Sequence, residues 1–360
     1  MLDPCKEQHD SVTPADPPEA EGPPDPGGPV RVATIPFADP YVDAVLPPDV
    51  VRVGPSGDLS PWLDVSYLEA HATDIDVLHL HTGPAHVATA VVQCWAETVR
   101  RLGIPLVVTV HRLGAAASHR GCAREPGTDA HLEAVLSTAE VVLTLTRGAA
   151  DEIAERFGRT AIVVAHPSVT EPDPERGAER GLVGLRLGRV SAAVPDPGAL
   201  ARAVLSGAVS GGGRLRVLID EADAAWIPSV VRTLAARGEL ELVVHPAADR
   251  PAQLQQLHVA VLPEPCGSHS RDLEVCRDVG TRVITPSCGW FVDQWSDVVS
   301  YDNHDHGRLD PVSLTAAIGA ALARPMPRPA DRDWRDGQRA AVRQVHADVY
   351  AQVAADRNWV

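Results

Sequence analysis

The sequence contains a single lysine, Lys6, so arginine supplies almost all of the positive charge. Basic residues form no run, and the formal net charge is −16. Proteins that bind nucleic acid usually carry a basic stripe or patch, so this composition argues against a nucleic-acid partner. It also argues against binding to anionic membrane surfaces. A local arginine pocket that binds a phosphate group remains compatible with it.

Aromatic residues make up only 4% of the chain, so the cores must consist mostly of Val, Leu, Ala and Ile. The six cysteines include no Cys-x-x-Cys pair, which argues against zinc-ribbon and redox motifs. The N-terminus lacks the pattern of a secretory signal. No stretch reaches the roughly 18 apolar residues of a membrane-spanning helix. We therefore expect a cytoplasmic protein without an integral membrane segment, in which the cysteines are mostly small buried residues.

The pattern along the chain predicts an α/β fold of two Rossmann-like domains. Residues 1–29 are rich in Pro, Asp, Glu and Gly and are predicted to be a disordered tail. From there, short apolar runs alternate with helical patterns, which is typical of parallel sheet covered by helices. The alternation covers residues 30–169, pauses at a proline-rich linker at 170–180, and restarts over 181–330. A C-terminal helical segment, 331–360, follows.

Polar side chains stand at the predicted carboxyl ends of the strands in the first half. The residues are His79, His81, His111, Arg112, Thr144, Thr146 and His166. Each alone is most simply a solvated loop residue, but several at equivalent ends favour a site, because ligands of such sheets bind there. We expect His79 and His81 to point to opposite faces, so that only one enters the site. His81 and His111 match no familiar zinc spacing, so we predict no metal.

In the second half, the run Gly267-Ser268-His269-Ser270 follows a predicted strand. Ser268 or Ser270 is a candidate N-cap, and the free backbone N–H groups of a helix N-terminus favour an anion. Glu274 lies one helical turn later and is a candidate acceptor for ribose hydroxyl groups. A solvent-facing glutamate explains the same pattern equally well.

Five segments, in this order and spacing, resemble motifs of a known family. They are DVLHLHTG (76–83), LVVTVHRL (106–113), AEVVLTLTRGAADEIAERFG (139–158), AIVVAHPSV (161–169) and GSHSRDLEVCRDVGTRVITPSCG (267–289). The chain thereby resembles retaining glycosyltransferases of family 4, in particular an actinobacterial branch. This family has the GT-B fold, in which two Rossmann-like domains face each other across a cleft.

The resemblance implies a role for each matching residue. Glu274 would hold the donor ribose, and Gly267, Ser268, His269 and Ser270 would form the loop near the diphosphate. His111 would lie near the transferred sugar. The implied acceptor side of the cleft comprises His81, Arg112, Thr146 and His166.

Three departures from the family pattern leave alternatives open. The family has two glutamates eight residues apart. Here these positions hold Glu264 and Asp272. The family's Gly-Thr turn matches Gly280 and Thr281, and counting back from this turn makes Glu274 the second acid instead. The family also has an Arg and a Lys that bind the diphosphate. This chain offers Arg186 or Arg189 and no lysine, and TIPFADPY (34–41) replaces a glycine-rich loop.

The resemblance implies a transferase that moves a sugar from a nucleotide diphosphate sugar to an unknown acceptor, with retention and without a metal or cofactor. Arg186 or Arg189 would stabilise the leaving diphosphate. The departures make a catalytically degenerate GT-B binding or scaffolding protein the main alternative. A sugar-nucleotide epimerase is a weaker one, because no additional acid–base carboxylates can be identified.

Overall fold

A computed structural model describes residues 28–55, 60–81, 87–113, 128–188, 194, 196–264, 269–303 and 309–357. Of the predicted site residues, Arg189, Gly267 and Ser268 lie outside these ranges, as does almost all of the predicted tail.

The N-terminal domain is built on a six-stranded parallel sheet with the order β2-β1-β3-β4-β5-β6. Its central strands β3 and β4 consist mostly of Val and Leu and are buried along their whole length, because helices cover both faces. The strands are β1 Arg31–Ile35, β2 Val51–Arg52, β3 Val77–His81, β4 Leu106–Val110, β5 Val141–Thr144 and β6 Ala161–Val163. The strand order reverses between β1 and β3.

The C-terminal domain repeats this plan with the strand order β9-β8-β7-β10-β11-β12. The strands are β7 Glu179–Leu187, β8 Arg214–Asp220, β9 Glu241–His245, β10 Leu257–Val261, β11 Arg282–Pro286 and β12 Val299–Tyr301. The order reverses between β7 and β10, and in sheets of this kind the crevice at that point is where ligands bind. Two parallel sheets in one chain confirm the predicted α/β two-domain fold.

Twelve α-helices connect or flank the strands within the described residues. They are α1 Pro40–Val45, α2 Val65–His71, α3 Thr89–Arg101, α4 Thr128–Thr138, α5 Arg147–Phe157, α6 Pro197–Ser210, α7 Ser229–Ala236, α8 Arg250–Gln255, α9 Arg271–Val279, α10 Phe291–Gln294, α11 Pro311–Ala323 and α12 Arg332–Arg357. The helical pattern at 222–237 divides into a 3-10 segment and α7, because Pro228 cannot continue the hydrogen-bond ladder.

The C-terminal helix α12 packs on the N-terminal domain, although it follows the C-terminal one. Val342, Val349, Tyr350 and Val353 join an apolar cluster with residues of the first sheet, such as Val77. Farther along, Arg357 donates hydrogen bonds to the backbone carbonyls of residues 72 and 75. The helix therefore packs the C-terminal part of the described chain against the N-terminal domain.

Two local features differ from the sequence expectation. Strand β7 begins at Glu179, so it takes up the last residues of the predicted linker 170–180. Cys94 is disulfide-bonded, whereas Cys276 is a buried free thiol of the expected kind. Among the described residues, no helix combines the length and apolar character needed to span a membrane.

Gly280 ends α9 in a left-handed conformation, with φ 80°, that disfavours any side chain. A Cβ added there would also lie 2.6 Å from the backbone nitrogen of Pro329. Gly158 ends α5 in the same way, with φ 63°, but has no atom within 4 Å of such a Cβ.

We therefore expect Gly158→Ala to cost about 1 kcal/mol, the strain of the left-handed conformation alone. Gly280→Ala should cost at least about 2 kcal/mol more, because the backbone of 328–329 must also move. Urea denaturation of the two variants measures the difference. Equal losses would show that the contact at Gly280 relaxes freely.

Candidate functional site

A row of polar side chains crosses the carboxyl edge of the C-terminal sheet on four neighbouring strands. Glu264 follows β10, Arg186 is near the end of β7, and Asp220 and His245 end β8 and β9. Glu264 and Arg186 flank the position where the strand order reverses. The row therefore lies where an open parallel sheet binds its ligand.

Two arginines and two carboxylates are interlocked in this row. The Nη2 atom of Arg186 lies 3.1 Å from Oδ2 of Asp220, and its Nη1 lies 3.1 Å from Oδ2 of Asp272. Arg250, the first residue of α8, reaches the same carboxylates, at 2.6 Å from Oδ2 of Asp220 and 3.7 Å from Oδ1 of Asp272. We call Arg186, Asp220, Arg250, Asp272 and Glu264 the arginine–carboxylate cluster.

Burial and charge shift the ionisation of this cluster in opposite directions. Burial would raise the pKa of Asp220, but the hydrogen bond from Arg250 and the charge of Arg186 lower it below its usual value. Burial and the neighbouring Asp272 raise the pKa of Glu264 to about 7, although Arg186 and Arg112 oppose this shift. Glu264 is thus ready to exchange a proton near neutral pH, as acid–base groups in sites do.

Several polar atoms of this region are buried without a hydrogen-bond partner among the described residues. They are Nε of Arg186, Nε of Arg250, Oε2 of Glu264, Oδ1 of Asp220, Oδ2 of Asp272 and Nε2 of His245. Buried polar atoms are normally satisfied, and exceptions at one place point to a missing ligand or water. The His245 ring donates from Nδ1 to the carbonyl oxygen of Pro246, 2.8 Å away, so its unpartnered Nε2 is an acceptor.

Glu274 is placed apart from the cluster. Its Oε2 accepts a hydrogen bond from Arg335 of α12 at 2.8 Å, and its Oε1 accepts one from Gln294 at 3.0 Å. The side chains of Arg335 and Glu274 are almost completely buried, with only 3% and 2% of them exposed. The ribose contact of Glu274 stays a prediction, but the acid of α9 that faces Arg186 is Asp272.

The loop before α9 is described only in part. Ser270 occupies the N-cap position, but its hydroxyl makes no capping bond, and its backbone N–H donates to Gln294 instead. His269 reaches across the cleft, because its ring hydrogen-bonds to the backbone of His111 and lies 5.3 Å from the His111 ring.

Histidines from the strand ends of the N-terminal domain meet His269 in the cleft. Nε2 of His111 lies 3.5 Å from Nδ1 of His81. The His166 ring lies 5.7 Å from that of His269, and Tyr41 packs edge-on against the rings of His81, His111 and His166. We call His81, His111, His166 and His269 the histidine cluster. The structure thus brings these four predicted residues together.

Burial keeps the histidine cluster neutral. It lowers the pKa of His81 to about 3, of His269 to about 3 and of His166 to about 4. It also lowers the pKa of His111 well below its usual value, and the neighbouring histidines add to the shift. A neutral imidazole ring can accept a hydrogen bond from a hydroxyl group.

His79 points to the same side as His81, with ring centroids 3.9 Å apart, so the expectation of opposite faces is wrong. Residues two apart in a strand share a face. His79 nevertheless stays out of the histidine cluster, because its two ring nitrogens bond to the hydroxyl groups of Tyr350 and Thr109. Thr146 caps α5 through Ala149, and Arg112 is exposed beside Glu264.

Direct polar contacts join the two domains. Arg271 of α9 donates to both carboxylate oxygens of Asp39 at 2.7 Å. The N–H of Gly148 in α5 donates to Oδ2 of Asp293 at 2.8 Å. The structure therefore has the two domains in contact.

Sequence reasoning missed Asp220, Arg250, His245, Asp39 and Arg271. Asp220 and His245 could have been found from the sequence, because they stand at the carboxyl ends of β8 and β9. The same criterion identified the histidines of the first half. Arg250 had no such signal, because only tertiary packing brings it to Asp220. Within the part of the chain that is described, no three His, Cys, Asp or Glu side chains are arranged to hold a metal.

Comparison with solved structures identifies the architecture. The chain aligns with sucrose-phosphate synthase of Thermosynechococcus elongatus (TM-score 0.56, 16% identity), covering 86% of this chain and 84% of the other. It also aligns with HepE of Anabaena in complex with UDP (TM-score 0.53, 10% identity), covering 84% and 87%. The protein has the GT-B fold.

A third structural match and the family match agree with this result. The pneumococcal O-GlcNAc transferase GtfA, in complex with UDP and GlcNAc, aligns with a TM-score of 0.50 and 11% identity over 81% of this chain. This chain spans only 58% of the GtfA chain. Residues 9–171 match the family Glycosyltransferase Family 4. No curated protein matches the sequence significantly.

The buried pair of Arg335 and Glu274 should matter much more for stability than an exposed pair on the same helix. Arg335→Met removes the cation that pairs with Asp278 and leaves Glu274 only the longer ion pair with Arg277, at 3.8 Å, so we expect a loss of about 3–5 kcal/mol. Arg332→Met breaks only exposed pairs, with Glu171 and Asp336, and should cost less than about 1 kcal/mol. Denaturant unfolding of both variants measures this contrast, and a small effect at Arg335 would contradict it.

The histidine cluster should make the fold sensitive to acid. The folded state holds His81 neutral far below the pKa of about 6.5 that it has when unfolded, so unfolding takes up protons. Stability is therefore fully present above about pH 6.5 and lost as the pH falls toward the folded pKa, by about 1.4 kcal/mol per pH unit for each such histidine. Urea unfolding between pH 7.5 and 5 checks this. His81→Asn should reduce the slope by about one proton, and an unchanged slope would contradict the assignment.

Proposed function

We propose that the protein transfers a sugar from a nucleoside diphosphate sugar to an acceptor bound on its N-terminal domain. The observation that carries this proposal is the arginine–carboxylate cluster at the β7/β10 reversal, which faces the neutral histidine cluster across the cleft. The GT-B fold, the match of residues 9–171 to Glycosyltransferase Family 4, and neighbours solved with UDP support it.

In this proposal the cluster binds the donor. Arg186 donates hydrogen bonds to the diphosphate and offsets the charge that develops as it leaves, the role that positive groups take in phosphoryl-bearing sites. Asp272, rather than Glu274, accepts from the ribose hydroxyls, because it shares the crevice with Arg186. Glu264 lies on the cleft side of the row and contacts the sugar.

The N-terminal side supplies groups that can handle a hydroxyl without carrying charge. His111 is neutral at neutral pH and lies beside His269, at the junction of the two domains. It accepts a hydrogen bond from the sugar or from the incoming hydroxyl group. The proposal requires no protein nucleophile and no metal, and it includes retention of configuration at the transferred carbon.

One observation favours the alternative of a catalytically degenerate binding protein. Arg186 and Arg250 are already paired with Asp220 and Asp272, so the cluster offers a diphosphate little net positive charge. A donor must then displace or rearrange these ion pairs before it binds.

A thermal-shift panel of UDP, GDP, ADP and TDP separates the two candidates. A diphosphate present at 100 times its dissociation constant should stabilise the fold by about 2.7 kcal/mol. We expect a shift with one nucleotide that Asp272→Asn removes, and release of that nucleotide from its sugar conjugates when an acceptor is present. No shift with any of the four would make the binding protein the better conclusion.

Glu274→Gln is the matched control on the same helix. It should lower the unfolding temperature without changing the ligand-induced shift, because Glu274 is bonded to Arg335 and Gln294. Loss of the shift in this variant, with Asp272→Asn still responding, would instead assign the ribose to Glu274.

A further inference from the structure

We propose that Arg250 is a second diphosphate-binding residue, which acts together with Arg186. This inference rests on the proposed function, since it concerns the same donor. It assigns the missing second cation to the beginning of α8, some 60 residues from Arg186 along the chain. The sequence pattern offered only Arg186 or Arg189 for this role.

The first argument is the way in which the two guanidinium groups are held. Both Nη2 atoms contact a single oxygen, Oδ2 of Asp220, at 3.1 Å from Arg186 and 2.6 Å from Arg250. Both Nη1 atoms turn toward Asp272, one to each of its oxygens. Two like charges side by side are stable only with anions between them. A diphosphate, with oxygens on two linked phosphorus atoms, presents acceptors in the same arrangement.

The second argument is that each of the two guanidinium groups keeps one N–H donor that these contacts do not use. The Nε–H of Arg186 and the Nε–H of Arg250 are both buried and have no acceptor among the described residues. A guanidinium has five N–H donors in a fixed fork, and phosphate oxygens suit that fork. Burying an unsatisfied donor costs free energy, and a bound anion would remove this cost at both arginines at once.

The third argument is the protonation of the cluster. Arg250 is the partner that, after the opposing effect of burial, does most to lower the pKa of Asp220. Arg186 keeps its charge, because Asp272 and Asp220 raise its pKa against the effect of burial. Arg186 therefore stays a cation over the whole working range of pH. Without Arg250, two carboxylates would face Arg186 alone, and the crevice would repel a diphosphate.

Isothermal titration with three kinds of probe tests the assignment. The probes are inorganic pyrophosphate, the nucleoside diphosphates UDP, GDP, ADP and TDP, and the matching nucleosides. For Arg250→Gln we expect the dissociation constant of the diphosphate to rise about 10- to 100-fold, as for loss of a charge-assisted hydrogen bond. The affinity for the nucleoside should stay within about twofold, because the proposal assigns Arg250 to the diphosphate and not to the base.

Two further variants keep the test decisive. Asp220→Asn/Arg250→Gln removes both partners of the 2.6 Å ion pair, so no carboxylate is left unpaired if the single variant fails to fold. Arg232→Gln changes an exposed arginine of α7 and should leave every affinity unchanged.

The outcomes separate this inference from the function on which it rests. If Arg186→Gln weakens the diphosphate but both Arg250 variants bind it like the wild type, the role of Arg250 is overturned and the proposed function stands. If nucleoside and diphosphate weaken equally, Arg250 acts on the base or the fold, and the inference again fails. If the wild type binds none of the probes, both are overturned.

Discussion

The two domains are joined by a guanidinium group that is almost completely buried. Arg335, near the start of α12, donates to Glu274 and Asp278 of α9 and to the carbonyl oxygen of His166, where the chain leaves the first domain. Burial raises the pKa of Asp278 to about 6, and Arg335 opposes that shift. Because α9 also carries Asp272, this contact fixes the acid that faces Arg186. The position of the site thus depends on a residue outside it.

Much of the fold could be predicted, because parallel strands that are buried on both faces appear in the sequence as short continuous apolar runs. The sequence pattern predicts strands at RVATI (31–35) and RVITP (282–286) and a short helix at Val65–His71, and β1, β11 and α2 have the same bounds. Helix α1 was missed, because six residues show too little periodicity. Its one signal was Asp39 before Pro40, an N-cap followed by proline. The divided helix at Pro228 was likewise readable from the proline.

The site was less predictable, and α9 shows why. Asp272 and Glu274 are two residues apart, so they lie on nearly opposite sides of the helix, and only one of them can face Arg186. An amphipathic helix would reveal which, but α9 is buried all round, including its acids. A choice based on sequence register therefore favoured Glu274. The histidine cluster was predictable, because its N-terminal members stand at the carboxyl ends of β3, β4 and β6, which lie along the same edge of one parallel sheet.

Asp39 accepts hydrogen bonds both from its own domain and from the other domain. Its Oδ1 accepts from the backbone of Tyr41 to cap α1, and both of its oxygens accept from Arg271 of the other domain. The capping bond lies wholly within the first domain, so the carboxylate keeps its orientation when the domains separate. The Asp39 side chain loses its rotamer entropy when the first domain folds. When the two domains come into contact, only the Arg271 side chain of this pair loses rotamer entropy. A contact of which one side is already fixed can form with little reorganisation.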